Sequence, residues 1–226
     1  MKIIASDFDN TIYFIDDSKK NQNNIEAIRK FVDNGNIFII ITGRNYSSLK
    51  RYIEKFDIPY TYIIIDDGAK IFDKNDECIN TIKLGINSIN KVIPILEKEK
   101  ANYYLDDGLS KNDNKNECVK IVVNCIDEKD KKRMLEIIKD TDIHIYASRR
   151  HVNIINKKVN KAMALRKLFE LENLNLDDIF VIGDNDNDYE MLSKFKGGVI
   201  KKHSKILDEL NKDEYETLYD FISTIS

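Results

Sequence analysis

Lys2-Ile3-Ile4-Ala5-Ser6-Asp7-Phe8-Asp9-Asn10-Thr11 begins as a short apolar run and stops at two carboxylates in alternate positions. Residues 2–6 read as a buried strand. Asp and Asn are poor strand formers, so the strand is expected to end there, with both acids at its carboxyl end. In open α/β sheets that edge is where ligands bind. One carboxylate there can attack and hold a cation while the second does proton work. The same acids also read as a plain polar loop, because the chain is rich in Asp, Asn and Lys. Their position and the motifs that follow carry the choice.

Working outward, residues 37–41 (Ile-Phe-Ile-Ile-Ile) form a second strand running into Thr42-Gly43-Arg44, and residues 61–65 a third ending at Asp66-Asp67-Gly68. Residues 179–182 form a fourth, ending at Gly183-Asp184. Helical spacing over 22–34, closed by Gly35, and over Leu49, Tyr52, Ile53 and Phe56 separates the first three strands. A helix over 161–172, another near 187–195, a short strand at 197–200 and C-terminal helices complete this pattern. Continuous apolar strands between helices predict an α/β fold: a Rossmann-like core with a parallel sheet and helices on both faces.

The middle differs. It reads as a hairpin over 69–82, a helix over 86–99, strands near 101–105 and 118–124, a helix over 127–139, and strands near 142–147 and 151–156. That order suits a small α+β module, an antiparallel sheet with helices on one face. The expected division is a core of 1–81 and 158–226 interrupted by an inserted module of 82–157.

The 226 residues suffice for such an arrangement, and 42% hydrophobic with 33% charged residues suits a packed core under a solvated surface. A net charge of −3 gives no reason to expect nucleic acid or a membrane as partner. Cys78, Cys118 and Cys125 lack metal-ligand spacing and read as reduced thiols. No apolar run is long enough to cross a bilayer, and the N-terminus does not read as a signal peptide, so a cytoplasmic location is expected.

Four polar strand ends, at Asp7, Thr42, Asp67 and Asp184, are brought to one edge by a parallel sheet. Thr42 and the backbone around Gly43 suit phosphoryl oxygens, although, taken alone, a strand-to-helix turn with a Thr N-cap is the plainer reading. Arg44 fits either a substrate contact or a surface ion pair. Lys161 opens a helix, where the dipole favours an acid, which invites a ligand role; it also reads as a solvated lysine. Gly183-Asp184-Asn185-Asp186-Asn187-Asp188 offers hard oxygen ligands suited to Mg²⁺, with Asp186 expected to face solvent. An EF-hand is excluded because the loop lacks its glycine and terminal Glu.

In order, Asp7-Phe8-Asp9-Asn10-Thr11, Thr42-Gly43-Arg44, Lys161 and Gly183-Asp184-Asn185-Asp186-Asn187-Asp188 resemble the four motifs of the haloacid dehalogenase superfamily. The insert resembles the C2 cap of its Cof-type, or IIB, branch; Asp67-Gly68-Ala69 and Val159-Asn160-Lys161-Ala162 resemble that branch's Asn-Gly-Ala and Val-Ser-Lys-Gly segments. Asn10, Asp67 and Ala162 depart from the usual Gly, Asn and Gly, and none removes a catalytic group. The resemblance implies a phosphatase of a small phosphorylated metabolite, with a sugar phosphate as the expected class. Asp7 would be the nucleophile and Asp9 the acid and base. Mg²⁺ would be held by Asp7, the Asp9 carbonyl and Asp184, with Asp188 supporting the metal shell or orienting Lys161. Thr42 and Gly43 would hold the phosphoryl group, and Lys161 would offset its charge. Arg44, Asn187 and, in the cap hairpin turn Ser148-Arg149-Arg150-His151, Arg150 are the candidate substrate contacts. A phosphomutase, a receiver-type signalling module and a non-catalytic sensor remain alternatives, and the assembly is expected to be a monomer or homodimer.

Overall fold

The computed structural model describes residues 1–148 and 150–225. In chain order the elements are β1 (Ile3–Ser6), α1 (Ser18–Asp33), β2 (Ile37–Ile41), α2 (Tyr46–Phe56), β3 (Tyr62–Ile65), β4 (Lys70–Asp73), β5 (Cys78–Thr81), α3 (Ile86–Lys98), β6 (Asn102–Asp106), β7 (Lys120–Asn124), α4 (Glu128–Ile137), β8 (Ile143–Ser148), β9 (His151–Asn156), α5 (Lys161–Glu172), β10 (Ile179–Gly183), α6 (Tyr189–Lys194), β11 (Lys196–Ile200), β12 (Asp213–Tyr215) and α7 (Leu218–Ile225).

Eight strands form one sheet in the order β12-β11-β10-β1-β2-β3-β4-β5, and β6-β7-β9-β8 form a second. In the large sheet every pairing from β12 to β3 is parallel, and the β4–β5 hairpin adds an antiparallel edge. Side-chain alternation feeds two cores. Ile4, Phe38 and Ile40 pack with α1, α2 and α7 through residues such as Ile28, Leu49 and Phe221. Ile3, Ala5, Ile39 and Ile41 pack with α5 and α6 through Leu165, Leu168, Met191 and Leu192. Burial on both faces explains why these strands read as unbroken apolar runs.

The small sheet is antiparallel throughout. Ile121, Val123, Val152 and Ile154 cover one face with α3 and α4, through Ile89, Val92, Leu96 and Met134. The other face carries the cross-strand row Tyr104–Val122–Asn153–Tyr146 and looks onto the carboxyl edge of the large sheet. The segments 82–85 and 157–160 link the two sheets.

Three elements depart from the sequence reading. α1 starts at Ser18 because Asp17 caps it by accepting from the Lys20 N–H, ahead of the first apolar position. The stretch near 187–195 splits into a 3₁₀ turn over Asp186–Asp188 followed by α6. The region read as C-terminal helices contains an edge strand, β12; Asp213-Glu214-Tyr215 is too short and polar for a strand pattern to register. No helix among the described residues is long and apolar enough to cross a membrane.

Candidate active site

The Asp7 N–H bonds the Ile182 carbonyl at 3.0 Å, extending the β1–β10 ladder one residue beyond β1. This fixes the start of the first acidic motif beside the loop that follows β10. Asn10 then takes φ 57°, a left-handed conformation that Asn tolerates better than most side chains. From there its amide donates to Asp184 Oδ2 at 3.2 Å. The Asn in place of Gly is thus accommodated by the backbone and adds a tether between the two acidic motifs.

Lys161 is fully buried at the first turn of α5. Its ammonium donates to Asp7 Oδ1 at 2.5 Å and to Asp188 Oδ1 at 2.6 Å. The other Asp188 oxygen accepts from the Asp184 and Asn185 N–H groups, each at 3.0 Å. Both Asp188 oxygens are therefore engaged in orienting Lys161 and the Asp184 loop. Gly183 makes room for this, because a Cβ there would run into the Asp188 side chain.

Carboxylate oxygens of Asp7, Asp184 and Asp188 lie within 4.8 Å of one another. Burial pushes the Asp7 carboxyl well above its usual range, and Asp188 and Asp184 add to this against the pull of Lys161. Burial, then Asp188, raises Asp184 to about 7. Burial opposes the charge on Lys161, but Asp188 and Asp7 outweigh it and hold its pKa up. One ammonium among two buried carboxylates and the half-buried Asp184 cannot neutralise them all. A hard divalent cation among these oxygens would reverse the upward shifts, so the donor set fits Mg²⁺.

Asp9 accepts a forked pair from Arg44, with Nε and Nη2 both at 2.7 Å. The guanidinium lies over the Tyr52 ring, 4.4 Å from its centroid. Of the two readings of Arg44, the ion pair is the contact observed. Thr42 is buried, and its Oγ1 accepts from the Arg44 N–H at 3.2 Å. A Cβ on Gly43 would stand 3.0 Å from the Asp67 carboxylate, so the turn packs closely on that side chain. Asp67, at φ 58°, accepts from Asn187 Nδ2 at 2.8 Å and from the Tyr146 hydroxyl of β8.

These groups line a cavity of about 380 Å³ between the two sheets. Asp7, Asp9, Thr42, Gly43, Arg44, Asp184 and Asn187 all face it. Asp188 and Lys161 lie behind it, fully buried. Asp186 is exposed, as expected. Arg150 is exposed on the β8–β9 turn and is not among the lining residues; that hairpin instead contributes Ser148, His151 and Asn153. Arg149 lies outside the described residues.

Sequence reasoning did not single out Lys120, Asp106 or Tyr146. Lys120 is buried where β7 begins, ion-paired with Asp66, and donates to the Gly43 carbonyl at 2.9 Å. Asp106, ending β6, accepts from Asn45 Nδ2 at 2.7 Å and from the Gly108 N–H at 2.8 Å. The available signal was alternation: in Lys120-Ile121-Val122-Val123 the packed residues are Ile121 and Val123, which turns Lys120 toward the site.

A strand end carrying Asp7, a buried lysine, a hydroxyl turn and an acidic loop at one sheet edge, under an inserted module, are the features of a hydrolase of phosphate esters. The chain belongs to the haloacid dehalogenase-like hydrolases, whose family model matches residues 4–109 and 99–205. It is 24% identical to the 5-amino-6-(5-phospho-D-ribitylamino)uracil phosphatase YcsE of Bacillus subtilis over 208 residues, covering 88% of this chain and 83% of that protein. It is 25% identical to YitU of the same organism, which bears the same enzyme name, over 84% of this chain and 82% of the relative. Among solved structures, a HAD/COF-like hydrolase from Plasmodium vivax superposes with a TM-score of 0.86 at 18% identity, covering 100% of this chain and 95% of that one. The phosphatase BT1666 from Bacteroides thetaiotaomicron superposes at 0.81 with 18% identity, covering 100% and 92%.

Proposed function

We propose that this phosphatase is a Mg²⁺-dependent phosphomonoesterase that transfers the phosphoryl group of a small phosphorylated metabolite first to Asp7 and then to water. The observation that carries the reading is the buried Asp7–Lys161–Asp188 chain, 2.5 and 2.6 Å long at its two links, beside Asp184. Lys161 occupies Asp7 Oδ1, leaving Oδ2 to attack phosphorus. As that P–O bond forms, the bond to the leaving oxygen breaks and Asp9 gives that oxygen its proton. Asp9 then takes a proton from water, whose oxygen attacks phosphorus and releases Asp7 and inorganic phosphate. Asp9 must loosen at least one arm of its Arg44 fork to carry the proton, so Arg44 sets where that carboxyl waits. Thr42 Oγ1 accepts from a backbone N–H and keeps its own hydrogen for a phosphoryl oxygen. Mg²⁺, held by Asp7, the Asp9 carbonyl and Asp184, would supply charge neutralisation of the phosphoryl group.

The leaving group meets Tyr104, Val122, Asn153 and Tyr146. Hydroxyl and amide groups around one aliphatic side chain suit a hydroxylated or amide-edged metabolite. Sugar phosphates and 5-amino-6-(5-phospho-D-ribitylamino)uracil, named for YcsE and YitU, are therefore the first compounds to test. The test is phosphate release from these and from p-nitrophenyl phosphate, with Mg²⁺ or chelator, by wild type and Asp7→Asn. Release is expected only with Mg²⁺ and intact Asp7; release that survives the substitution would overturn the assignment of the nucleophile.

A further inference from the structure

The turn Thr42-Gly43-Arg44 has three backbone carbonyls, and each has a partner. The Thr42 carbonyl accepts from the Asp67 N–H at 3.0 Å and the Arg44 carbonyl from the Asp66 N–H at 2.9 Å. Both donors belong to the core turn after β3. The Gly43 carbonyl alone is held by a side chain, and that side chain comes from the inserted sheet: Lys120 Nζ, at 2.9 Å. Lys120 and its ion-pair partner Asp66 are both buried, Asp66 at 0% and Lys120 at 5% exposure, at the seam between the two sheets. Asp66 holds a left-handed backbone, φ 47°, to reach this place.

A trans peptide is planar, so fixing a carbonyl fixes the N–H on its far side. The Gly43 carbonyl shares its peptide plane with the Arg44 N–H, and that N–H donates to Thr42 Oγ1. The chain of contacts runs from Lys120 to the Gly43 carbonyl, through the peptide plane, to the Thr42 hydroxyl. From this we infer that Lys120 is a positioning residue: the inserted sheet, when seated, sets the phosphoryl-binding turn through the Gly43 carbonyl, with Asp66 as the anchor that steers the ammonium there. The inference rests on the proposed reading in one respect, that Thr42 holds a phosphoryl oxygen. It makes docking of the cap a condition for a formed phosphoryl site, independent of which leaving group the cap meets.

The test is binding of inorganic phosphate in the presence of Mg²⁺, followed by calorimetry, alongside kcat/KM for p-nitrophenyl phosphate and for a sugar phosphate. Inorganic phosphate has no leaving group, so it reports on the turn alone. Lys120→Met is expected to weaken phosphate binding and to lower kcat/KM for both esters by a similar factor, about 10- to 100-fold, the scale of loss from a misplacement of about 1 Å. The double variant Lys120→Met/Asp66→Asn removes the buried charge left by the single change and serves as the folding control. It is expected to stay equally weak, because the Gly43 carbonyl still lacks its partner. Wild-type phosphate affinity in either variant would overturn the inference, since Lys120 would then serve only the leaving group or the charge on Asp66. A wild type that turns over esters while these variants keep phosphate affinity defeats this inference alone; a wild type that neither binds phosphate nor turns over esters defeats the phosphatase reading and this inference with it.

Discussion

Lys161→Met keeps most of the side-chain stem and removes the one ammonium that serves Asp7 and Asp188. Both contacts are fully or almost fully shielded, with Lys161 and Asp188 at 0% and Asp7 at 5% exposure. Removing one partner of a buried ion pair costs about 3–5 kcal/mol, because the charge left behind stays desolvated. At about 2–4 °C per kcal/mol for a chain of this size, the melting temperature in chelator is expected to fall by roughly 6–20 °C. The lower part of that range is the sharper expectation. Burial already pushes Asp7 up, so its carboxyl can shed charge by taking a proton.

The sign with pH follows. Losing the ammonium raises the folded-state pKa of Asp7 further above its unfolded value. The folded protein then binds more protons than the unfolded one, so the deficit is smallest at low pH and grows as pH rises through the folded pKa. Magnesium supplies the second half of the assay. A cation at 100 times its dissociation constant stabilises by about 2.7 kcal/mol, or roughly 5–11 °C here. The variant is expected to respond at least as strongly as the wild type, because no ammonium competes for Asp7. Thermal unfolding by circular dichroism at pH 5.5 and 8, with chelator and with Mg²⁺, reads all three. A deficit under about 2 °C in chelator, or a Mg²⁺ response weaker than in the wild type, would refute the picture of three carboxylates short of positive charge.

Three further outcomes can be measured on the same footing. Asp7→Asn is expected to lower kcat by about 10³-fold or more, yet not to lower the melting temperature in chelator, since it removes a crowded buried charge; its Mg²⁺-induced shift should shrink. Arg44→Ala frees both oxygens of Asp9 and is expected to slow sugar-phosphate hydrolysis by about 10- to 100-fold. p-Nitrophenyl phosphate, whose leaving group needs little proton assistance, should suffer less, and equal losses on both would argue that Arg44 does not act through Asp9. Burial, against the charge of Lys120, holds Asp66 at about 7, above its usual 3.8. Stability in denaturant titrations is therefore expected to fall as pH rises from 3.8 to about 7, and Asp66→Asn should flatten that slope.

The core was legible because its strands are buried on both faces and each is followed at once by the residue that matters. Ile3-Ile4-Ala5-Ser6 delivers Asp7, Ile37-Phe38-Ile39-Ile40-Ile41 delivers Thr42, and Ile179-Phe180-Val181-Ile182-Gly183 delivers Asp184. Parallel pairing then places the three ends side by side, so sequence position alone brings them to one edge. Asp9 and Arg44 could not be joined that way. Their fork depends on how a side chain leaves α2's approach and stacks on Tyr52, which no periodicity encodes. The cap hid its contribution for a related reason. Its hairpin turn carries the conspicuous charge, Arg150, while the face looking at the cavity is set by register: Asn153 opposite Val122 and Tyr146, two residues beyond the turn on either arm.

The two buried lysines show what that register achieves. Each lies at a place where chain segments far apart in sequence meet, and each is held charged by acids against the cost of burial. They differ in what they touch. Lys161 shares its charge among Asp7, Asp188 and the nearby Asp184, which leaves a deficit that a divalent cation and a phosphoryl group can fill together. Lys120 has Asp66 as its ion-pair partner, feels Asp67 and Asp106 as well, and spends a further donor on the Gly43 carbonyl, so it reaches the phosphoryl-binding turn through the backbone. An acid cluster beside the cavity invites chemistry, whereas a lysine bound to a backbone carbonyl fixes geometry. On the proposed reading, the acids around Lys161 do charge work in the core, and Lys120 does alignment work at the seam between the two sheets.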